Sequence, residues 1–558
     1  MNPLTLHGSW SFRFEEGKSI EDVADPAFLA TDTMVVPGCF DLLPRWYLKR
    51  GTALYRRTFT LAQAVPNAWL VVDGMGLRGD FRIDGRPLGV HPYPYSRLEI
   101  ETGPLDAGEH TLFAALDNRF DWATMKLARP YYDFYFHGGF YHGVSLVFDN
   151  RKLFVRTRDF RTGTVEIEAV DFTQRDFDAT FLFDGRNAVA AAFRDGRATV
   201  RVPDYRLWSP DAPNLHAVAL DGVAARFGIR QVEARDRRIF LNGKPVYLKG
   251  LNRHDTHPDF GPATPEEVML GDIQRLKALG GNFFRGAHYP QSQRFLDLCD
   301  ECGVLVWEES LGWGNGQGYT DRDDIELSDA AFLDQQVAQT RNMVRQSFNH
   351  PSVILFGFLN EVAGPKPAAL ALVERLAAAI RAEDSGRLVT FACNSWKGDL
   401  CHACTDVVSF NSYPGTIPCF PGLPDELAEK VRNDPGSGFN VIAAHFRALY
   451  PDKPILLSES GCAGQYGLRD PAAGWGTEDF QAEYIADILE TVRDNPDIAG
   501  CCLWQMNDNR TYHRNSPGQA GKPWAGFSAA GIFDGHRQPK LSAATVKRLF
   551  AQLAPRRP

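Results

Sequence analysis

The sequence predicts a multidomain α and β protein, in which two β-sandwich domains precede a C-terminal (β/α)8 TIM barrel. With 558 residues, the chain is too long for a single hydrophobic core. Up to about Arg235, short alternating runs are separated by turn residues, a pattern that is typical of β-sandwiches. Beyond that point helices alternate with short apolar runs, as they do in parallel βαβ units.

Residues 1–150 and 151–236 are the two predicted β domains. Trp69–Asp73 is a short apolar run of the first segment, and Asp84-Gly85 supplies a hairpin turn there. In the second segment, Asp184-Gly185 separates two short strands. The modest length of this second segment fits a small immunoglobulin-like sandwich.

Residues 237–558 are predicted to form the barrel. Thr264-Pro265-Glu266-Glu267 is typical of a helix start, with Thr264 as the N-cap. Eight apolar runs between the predicted helices are the candidate strands: Tyr247–Leu251, Phe283–Arg285, Leu305–Trp307, Val353–Phe358, Leu388–Ala392, Val407–Phe410, Ile455–Leu457 and Gly500–Trp504.

Polar residues stand at the ends of these candidate strands, where barrel enzymes build their active sites. Glu361 follows the fourth strand and Glu459 follows the seventh. The other strand ends carry Arg285, His288, Asn360, Asn411, Tyr413 and Trp504. Either glutamate alone is equally well explained by a structural ion pair at the barrel rim. Two of them, together with these neighbours, favour a catalytic site.

Paired carboxylates are what glycoside hydrolysis needs. One must be neutral to protonate the glycosidic oxygen, and the other must be ionised to attack the anomeric carbon. The charge of the nucleophile holds the proton on its neighbour. Carboxylates about 5–5.5 Å apart give retention of configuration through a covalent intermediate. The sequence therefore predicts a glycosidase that uses Glu361 and Glu459.

Several ordered motifs resemble glycoside hydrolase family 2, the family of β-galactosidases and β-glucuronidases. The similarity covers nearly the whole chain. The motifs are Gly8-Ser-Trp-Ser-Phe, Tyr55-Arg-Arg-Thr-Phe, Leu207-Trp-Ser-Pro-Asp-Ala-Pro-Asn-Leu, Lys249-Gly-Leu-Asn-Arg-His-Asp, Phe284-Arg-Gly-Ala-His-Tyr-Pro, Asn349-His-Pro-Ser-Val, Asn360-Glu361 and Ser458-Glu459.

This resemblance implies a jelly-roll sugar-binding domain, an immunoglobulin-like domain and a catalytic barrel. It implies that Glu361 is the acid/base and Glu459 the nucleophile of a retaining exo-β-glycosidase. Asn360 would bind the sugar 2-hydroxyl and Tyr413 would hydrogen-bond the nucleophile. The resemblance further implies that His254, Arg285 and His288 line the pocket and that Trp504 forms its floor. Asn411 is added as a candidate because it stands at a strand end.

Asp133 is a further implied site residue, because Tyr131-Tyr-Asp-Phe resembles the loop by which the first domain reaches the barrel mouth. It would bind hydroxyls of the terminal sugar and so enforce exo action. A solvated loop acid is the alternative for Asp133. Core packing is the alternative for Trp504, and a buried barrel histidine is the alternative for His254.

Departures from the family pattern bear on cofactors. Family members often have an arginine where this chain has His142. Metal-binding β-galactosidases carry a histidine after the third strand, which Glu308-Glu-Ser-Leu-Gly-Trp lacks. We therefore predict no required metal and no other cofactor. The pairs Cys299/Cys302 and Cys401/Cys404 are interpreted as reduced thiols rather than as a zinc site.

The identity of the sugar depends on how a carboxylate would be bound. The glucuronidases use an Asn-x-Lys motif, and the matching stretch before Gly531 lacks it, which favours a neutral hexose or pentose as in β-galactosidases. Arg510 and Arg514 follow the eighth strand, so a β-glucuronidase or β-galacturonidase with a non-standard carboxylate clamp stays open. Two alternatives of other classes are a non-catalytic carbohydrate-binding protein and a metal-dependent barrel hydrolase.

Charge and hydropathy limit the partners. The net charge is −9 and no long basic run occurs, so we expect neither nucleic acid nor a membrane surface as a partner. The N-terminus does not resemble a signal peptide, and no run of about 18 apolar residues occurs. We expect a soluble, cytoplasmic protein that acts on a carbohydrate, and we leave a homo-oligomer open.

Overall fold

The computed structural model describes three successive regions, each with its own hydrophobic core. The described residues are 2–132, 134–318, 323–415, 435–512 and 526–555. The jelly-roll and immunoglobulin-like assignments of the first two regions stay predictions.

The first region consists of two large antiparallel sheets and a short two-stranded one. The sheets have the strand orders β1-β12-β6-β9, β3-β2-β5-β10-β7-β8 and β4-β11. Trp10 and Phe12 from the six-stranded sheet belong to the same core as Leu70 and Val72 from the four-stranded sheet. The strands are β1 (Leu4–Thr5), β2 (Gly8–Glu16), β3 (Asp32–Val36), β4 (Gly38–Cys39), β5 (Gly51–Leu61), β6 (Val65–Asp73), β7 (Arg78–Ile83), β8 (Arg86–His91), β9 (Arg97–Leu105), β10 (Gly108–Asp117), β11 (Gly139–Phe140) and β12 (Val144–Val147).

The second region has a three-stranded sheet, β13-β14-β17, and a four-stranded sheet, β16-β15-β20-β21. Val165 and Ile167 of the first sheet share one core with Phe181 and Val218 of the second. A three-stranded antiparallel sheet, β22-β23-β24, leads into the barrel. The strands are β13 (Lys152–Asp159), β14 (Thr164–Val170), β15 (Phe177–Phe183), β16 (Asn187–Phe193), β17 (Arg197–Arg201), β18 (Trp208–Ser209), β19 (Ala212–Pro213), β20 (His216–Leu220), β21 (Val223–Phe227), β22 (Val232–Arg235), β23 (Arg238–Leu241) and β24 (Lys244–Val246).

The third region is a closed parallel barrel, as the sequence predicts. Its first strand pairs with both the second and the last, and its fifth strand is divided into two short pieces, β29 and β30. Eight strands therefore close the barrel. They are β25 (Leu248–Arg253), β26 (Phe283–Gly286), β27 (Leu305–Trp313), β28 (Val353–Asn360), β29 (Leu388–Val389), β30 (Ala392–Cys393), β31 (Val408–Asn411), β32 (Ile455–Glu459) and β33 (Ile498–Leu503), followed outside the barrel by the pair β34 (Asn509–Arg510) and β35 (Phe527–Ser528).

Helices follow most barrel strands. The expected N-cap is wrong: α2 begins at Glu266 with Pro265 as its N-cap, because the Thr264 hydroxyl donates to Asp255 instead, at 2.8 Å. In the described part of the chain, no helix is long and apolar enough to cross a membrane. The helices are α1 (Ile20–Val23), α2 (Glu266–Ala278), α3 (Gln293–Cys302), α4 (Asp323–Glu326), α5 (Ala330–Gln346), α6 (Pro367–Glu383), α7 (Pro435–Leu449), α8 (Glu478–Asp494) and α9 (Leu541–Phe550).

Two contacts between the first region and the barrel lie just beyond the C-terminal ends of barrel strands. The ring of Tyr95 stacks on Tyr289, with 3.7 Å between ring centroids. His142 forms an ion pair with Asp255, with 2.9 Å between Nε2 and Oδ2. This histidine, which stands where the family often has an arginine, thus joins the two regions beside the barrel mouth.

Candidate active site

Arg285, at the end of β26, is the centre of the candidate site. Its side chain is completely buried, and burial of a charge is costly unless the charge is paired. The guanidinium pairs with Glu309 at 2.8 Å and also donates to Glu459. Burial disfavours the charge, but these two carboxylates outweigh burial and raise the pKa of Arg285. A charged guanidinium therefore lies between Glu309 and Glu459.

Glu459, at the end of β32, receives two strong donors. Arg285 donates to one carboxylate oxygen, and the Tyr413 hydroxyl donates to the other at 2.7 Å. Hydrogen bonds to a carboxylate stabilise its negative charge. Both oxygens are thereby oriented, as a nucleophile requires. This hydrogen bond is the contact that the family resemblance implied for Tyr413.

Glu361 lies immediately after β28, where the backbone turns sharply. Its φ is +55°, a left-handed conformation that costs a non-glycine residue roughly 1–2 kcal/mol. Its Oε1 accepts a hydrogen bond from the Asn411 amide at 3.0 Å. Asn411 also donates to Oδ1 of Asn360 at 3.0 Å, so one amide group joins the acid to its preceding residue.

Asn360 is held by its carbonyl oxygen. Oδ1 accepts from Arg285 at 2.8 Å in addition to Asn411, while Nδ2 is buried and has no hydrogen-bond partner among the described residues. Buried polar groups rarely remain unpaired in native proteins. The amide is therefore a ready donor for a substrate oxygen, which agrees with the role expected for this residue.

His254, His288 and Trp504 form an aromatic wall at the barrel mouth. The indole of Trp504 stacks on His288 at 5.3 Å and meets the His254 ring edge-on at the same distance. Burial and the neighbouring Arg285 lower the pKa of His288 to about 3, so this histidine is neutral near pH 7. Its Nε2 has no hydrogen-bond partner among the described residues.

The loop from the first region reaches this wall. Phe134 packs on His254, with 5.3 Å between ring centroids, and on His288 at 5.9 Å. Earlier in the same loop, the hydroxyl of Tyr131 donates to Glu326 at 3.3 Å. Asp133 itself lies outside the described residues, so its predicted contact with the terminal sugar stays a prediction.

Arg510 lies in β34, with its guanidinium between two tyrosine rings. The guanidinium carbon is 4.1 Å from the ring centroid of Tyr135 and 4.5 Å from that of Tyr47. In the described part of the chain it has neither an ion pair nor a side-chain hydrogen bond. Tyr135 is adjacent to Phe134, so this cation stands beside the loop that meets the barrel mouth. Arg514 lies outside the described residues.

Among the described residues, two groups of side chains have spacing that suits a metal ion: His257 with Asp259 and His536, and Asp297 with Asp300 and His350. Neither group contains one of the predicted site residues. The two Cys-x-x-Cys pairs lie on separate elements, α3 and the 3-10 helix Cys401–Cys404.

Two residues of the site were not identified from the sequence. Asn252 accepts from Arg285 at 2.9 Å, and Glu309 binds the same guanidinium through both carboxylate oxygens. Burial raises the pKa of Glu309, and Arg285 opposes that effect. The available signal is the place of Glu309 in the third strand, next to Glu308.

A closed parallel barrel with two glutamates, a buried arginine and an aromatic wall at its mouth has the features of the barrel glycoside hydrolases. Comparison with known proteins agrees. Residues 232–554 match the model described as the TIM barrel domain of glycosyl hydrolases family 2. This match covers more than half of the chain, which therefore belongs to glycoside hydrolase family 2, as the motifs indicated.

Similar proteins come from animals and bacteria. The chain is 28% identical over 400 residues to the β-glucuronidase of Canis lupus familiaris, a match that covers 67% of this chain but only 57% of that protein. It is 24% identical over 571 residues to the β-glucuronidase of Bacteroides fragilis, covering 93% of this chain and 78% of that one. A β-galacturonidase from Eisenbergiella tayi bound to galacturonate has a TM-score of 0.82, is 26% identical and aligns over 100% of this chain and 99% of its own.

Proposed function

We propose that this protein is a retaining exo-β-glycosidase. Glu459 attacks the anomeric carbon while Glu361 gives its proton to the glycosidic oxygen, so the glycosidic bond breaks, the aglycone leaves as an alcohol and a covalent glycosyl-enzyme remains. Glu361, now ionised, takes a proton from water, and the resulting hydroxide displaces Glu459 and releases the sugar. The catalytic roles and the contact of Asp133 with the terminal sugar are parts of this proposal.

The different surroundings of the two acids carry the assignment of roles. Glu459 accepts from a guanidinium and from a hydroxyl, which together stabilise the anion that attacks. Glu361 accepts from a neutral amide. A proton donor needs surroundings that tolerate its neutral form, and an amide does so better than a cation.

For the substrate, we propose a β-linked uronic acid, a β-glucuronide or β-galacturonide, rather than the neutral sugar that the missing Asn-x-Lys motif favoured. The relatives described above bear the names of enzymes for uronic acids. Arg510 provides a cation whose N–H groups have no partner among the described residues. The rings of Tyr47 and Tyr135 contact its guanidinium and restrict its motion, which limits the entropy lost when a carboxylate binds.

Comparison of aryl glycosides tests this proposal. We expect kcat/KM for the β-glucuronide or the β-galacturonide to exceed that for the β-galactoside by more than about a hundredfold, or about 2.7 kcal/mol. Arg510→Gln should remove most of that preference. The matched control is Arg161→Gln, because Arg161 also lies over an aromatic ring, Phe160, but in the second region. A preference for the galactoside would refute the uronic acid assignment and leave the glycosidase assignment intact.

A further inference from the structure

A cavity of about 390 Å³ lies between the second region and the barrel, away from the candidate active site. Its barrel side includes Pro351 and Leu388, which stand at the N-terminal ends of the fourth and fifth strands. Glu361 follows the C-terminal end of the fourth strand. The cavity and the catalytic acids therefore lie at opposite ends of the barrel.

The lining of this cavity is rich in arginine. Five arginines line it, against two aspartates: Arg156, Arg158, Arg230, Arg381 and Arg387, with Asp384 and Asp406. Three of the five donate to a carboxylate: Arg158 to Glu166, Arg381 to Asp406 and Arg387 to Asp384. Arg156 makes only a longer hydrogen bond to a carboxylate, to Glu166 at 3.4 Å.

Arg230 is the buried member without an acid. Its side chain donates to the main-chain carbonyls of Pro351 at 3.1 Å and Val353 at 2.8 Å. Among the described residues, no carboxylate oxygen lies within ion-pair distance of it. Burial, together with the nearby Arg387, lowers the pKa of Arg230 to about 9. A buried charge that is satisfied only by carbonyl dipoles is costly, and an anion would offset that cost.

Arg156 contributes a second donor. Its Nε is buried and has no hydrogen-bond partner among the described residues. Asp384 lies 3.8 Å from this atom, and Nη1 of the same guanidinium donates to Glu166 at 3.4 Å. Since Arg156 and Arg230 line the same cavity from β13 and from the segment before β22, their guanidinium groups can serve one ligand.

We propose that this cavity binds a small oxyanion, held by Arg156 and Arg230. Guanidinium groups match the planar oxygen pairs of phosphate, sulfate and carboxylate. The volume accommodates an inorganic phosphate and also a free sugar acid. Because the lining comes from both the second region and the barrel, the bound anion joins the two and raises their resistance to unfolding.

Thermal unfolding of the full chain tests the site, with inorganic phosphate added at constant ionic strength against chloride. We expect a saturable rise in Tm with phosphate, and at least about a tenfold weaker apparent affinity in Arg156→Gln. Arg186→Gln is the matched control, because Arg186 is exposed, belongs to the same region and does not line the cavity. This control should bind phosphate as the wild type does.

Glucuronate and galacturonate form a second arm, with isothermal titration as the readout. Binding of phosphate alone identifies an inorganic oxyanion, whereas binding of the sugar acids that Arg156→Gln weakens identifies a product site. Arg158→Gln, at the exposed rim of the same cavity, provides a second variant should Arg156→Gln fold poorly. The proposal is overturned if none of the three anions binds saturably, or if the variant that replaces a cavity arginine binds them as the wild type does. The activity on aryl glycosides plays no part in this test, so its outcome is independent of the proposed function.

Discussion

The hydroxyl of Tyr413 donates to Oε2 of Glu459 at 2.7 Å, on the side of the carboxylate opposite Arg285. Burial, and then the charges of Glu459 and Glu361, raise the pKa of Tyr413 well above its usual value. The tyrosine therefore carries its proton, and remains a hydrogen-bond donor, at neutral pH. The carboxylate is thus oriented by one neutral and one charged donor.

Tyr413→Phe removes the neutral donor while preserving the ring. We expect kcat on aryl glycosides to fall about 10- to 100-fold, which corresponds to about 1.4–2.7 kcal/mol for a hydrogen bond to a charged group. Tyr247→Phe is the control, because that buried tyrosine donates to the Val492 carbonyl at 3.4 Å. It should leave kcat unchanged. Equal losses in both variants would show that Tyr413 acts only through stability.

The two acids are distinguished by rescue with azide. Glu459→Ala removes the nucleophile and should lower kcat at least about a thousandfold, or about 4 kcal/mol. Azide then attacks from the vacated side and yields the α-glycosyl azide, detected by NMR. In Glu361→Ala the glycosyl-enzyme still forms from substrates with good leaving groups, and azide yields the β-glycosyl azide. The opposite anomers would reverse the two roles.

Asn360→Ala removes the amide nitrogen, unpaired among the described residues, that we assign to the sugar 2-hydroxyl. We expect kcat/KM to fall about 10- to 100-fold on ordinary aryl glycosides and much less on their 2-deoxy analogues, which lack the partner. Asn282→Ala is the control, since Asn282 donates to the Tyr247 carbonyl just before β25. A loss of equal size on both kinds of substrate would assign Asn360 a structural role.

Removal of metal ions tests the expectation that carboxylates alone carry the reaction. Prolonged dialysis against EDTA should leave kcat within about twofold, because loss of a true catalytic cation forfeits several kcal/mol. Dialysis against buffer without chelator is the control. A large loss that magnesium restores would contradict the expectation drawn from the missing histidine after the third strand.

Acid should destabilise the fold through His288. Its pKa is about 3 in the folded state and 6.5 as a free side chain, so the unfolded chain binds more protons between these values. Stability is therefore fully present above pH 6.5 and is lost as the pH falls towards 3. The contribution amounts to at most about 1.4 kcal/mol per pH unit. Chemical unfolding of His288→Gln, which cannot gain this proton, should show a shallower pH dependence than the wild type between pH 6.5 and 5. Identical slopes would contradict the assignment.

The barrel was predictable because its determinants are local. Each strand is a short apolar run, and polar residues follow directly at the end of the run, as Asn360-Glu361 and Ser458-Glu459 do. The predicted strands agree with β25–β33 to within a few residues, except at β27, which continues to Trp313. The continuous apolar run of β27 ends at Trp307. The residues after it belong to the strand because they pair with β28.

The sequence by itself determined the order of the strands, the two glutamates and the family, because hydrophobic period and contiguous motifs are properties of neighbouring residues. Only the tertiary structure decided that Arg285 joins Glu309 to Glu459, that His142 pairs with Asp255, and that Arg230 is buried with main-chain carbonyls as its partners. The two carboxylate partners of Arg285 lie 24 and 174 residues away from it in the sequence. Such partners are chosen by which strand ends meet when the barrel closes, and by the need of each buried charge for a counter-charge or a dipole.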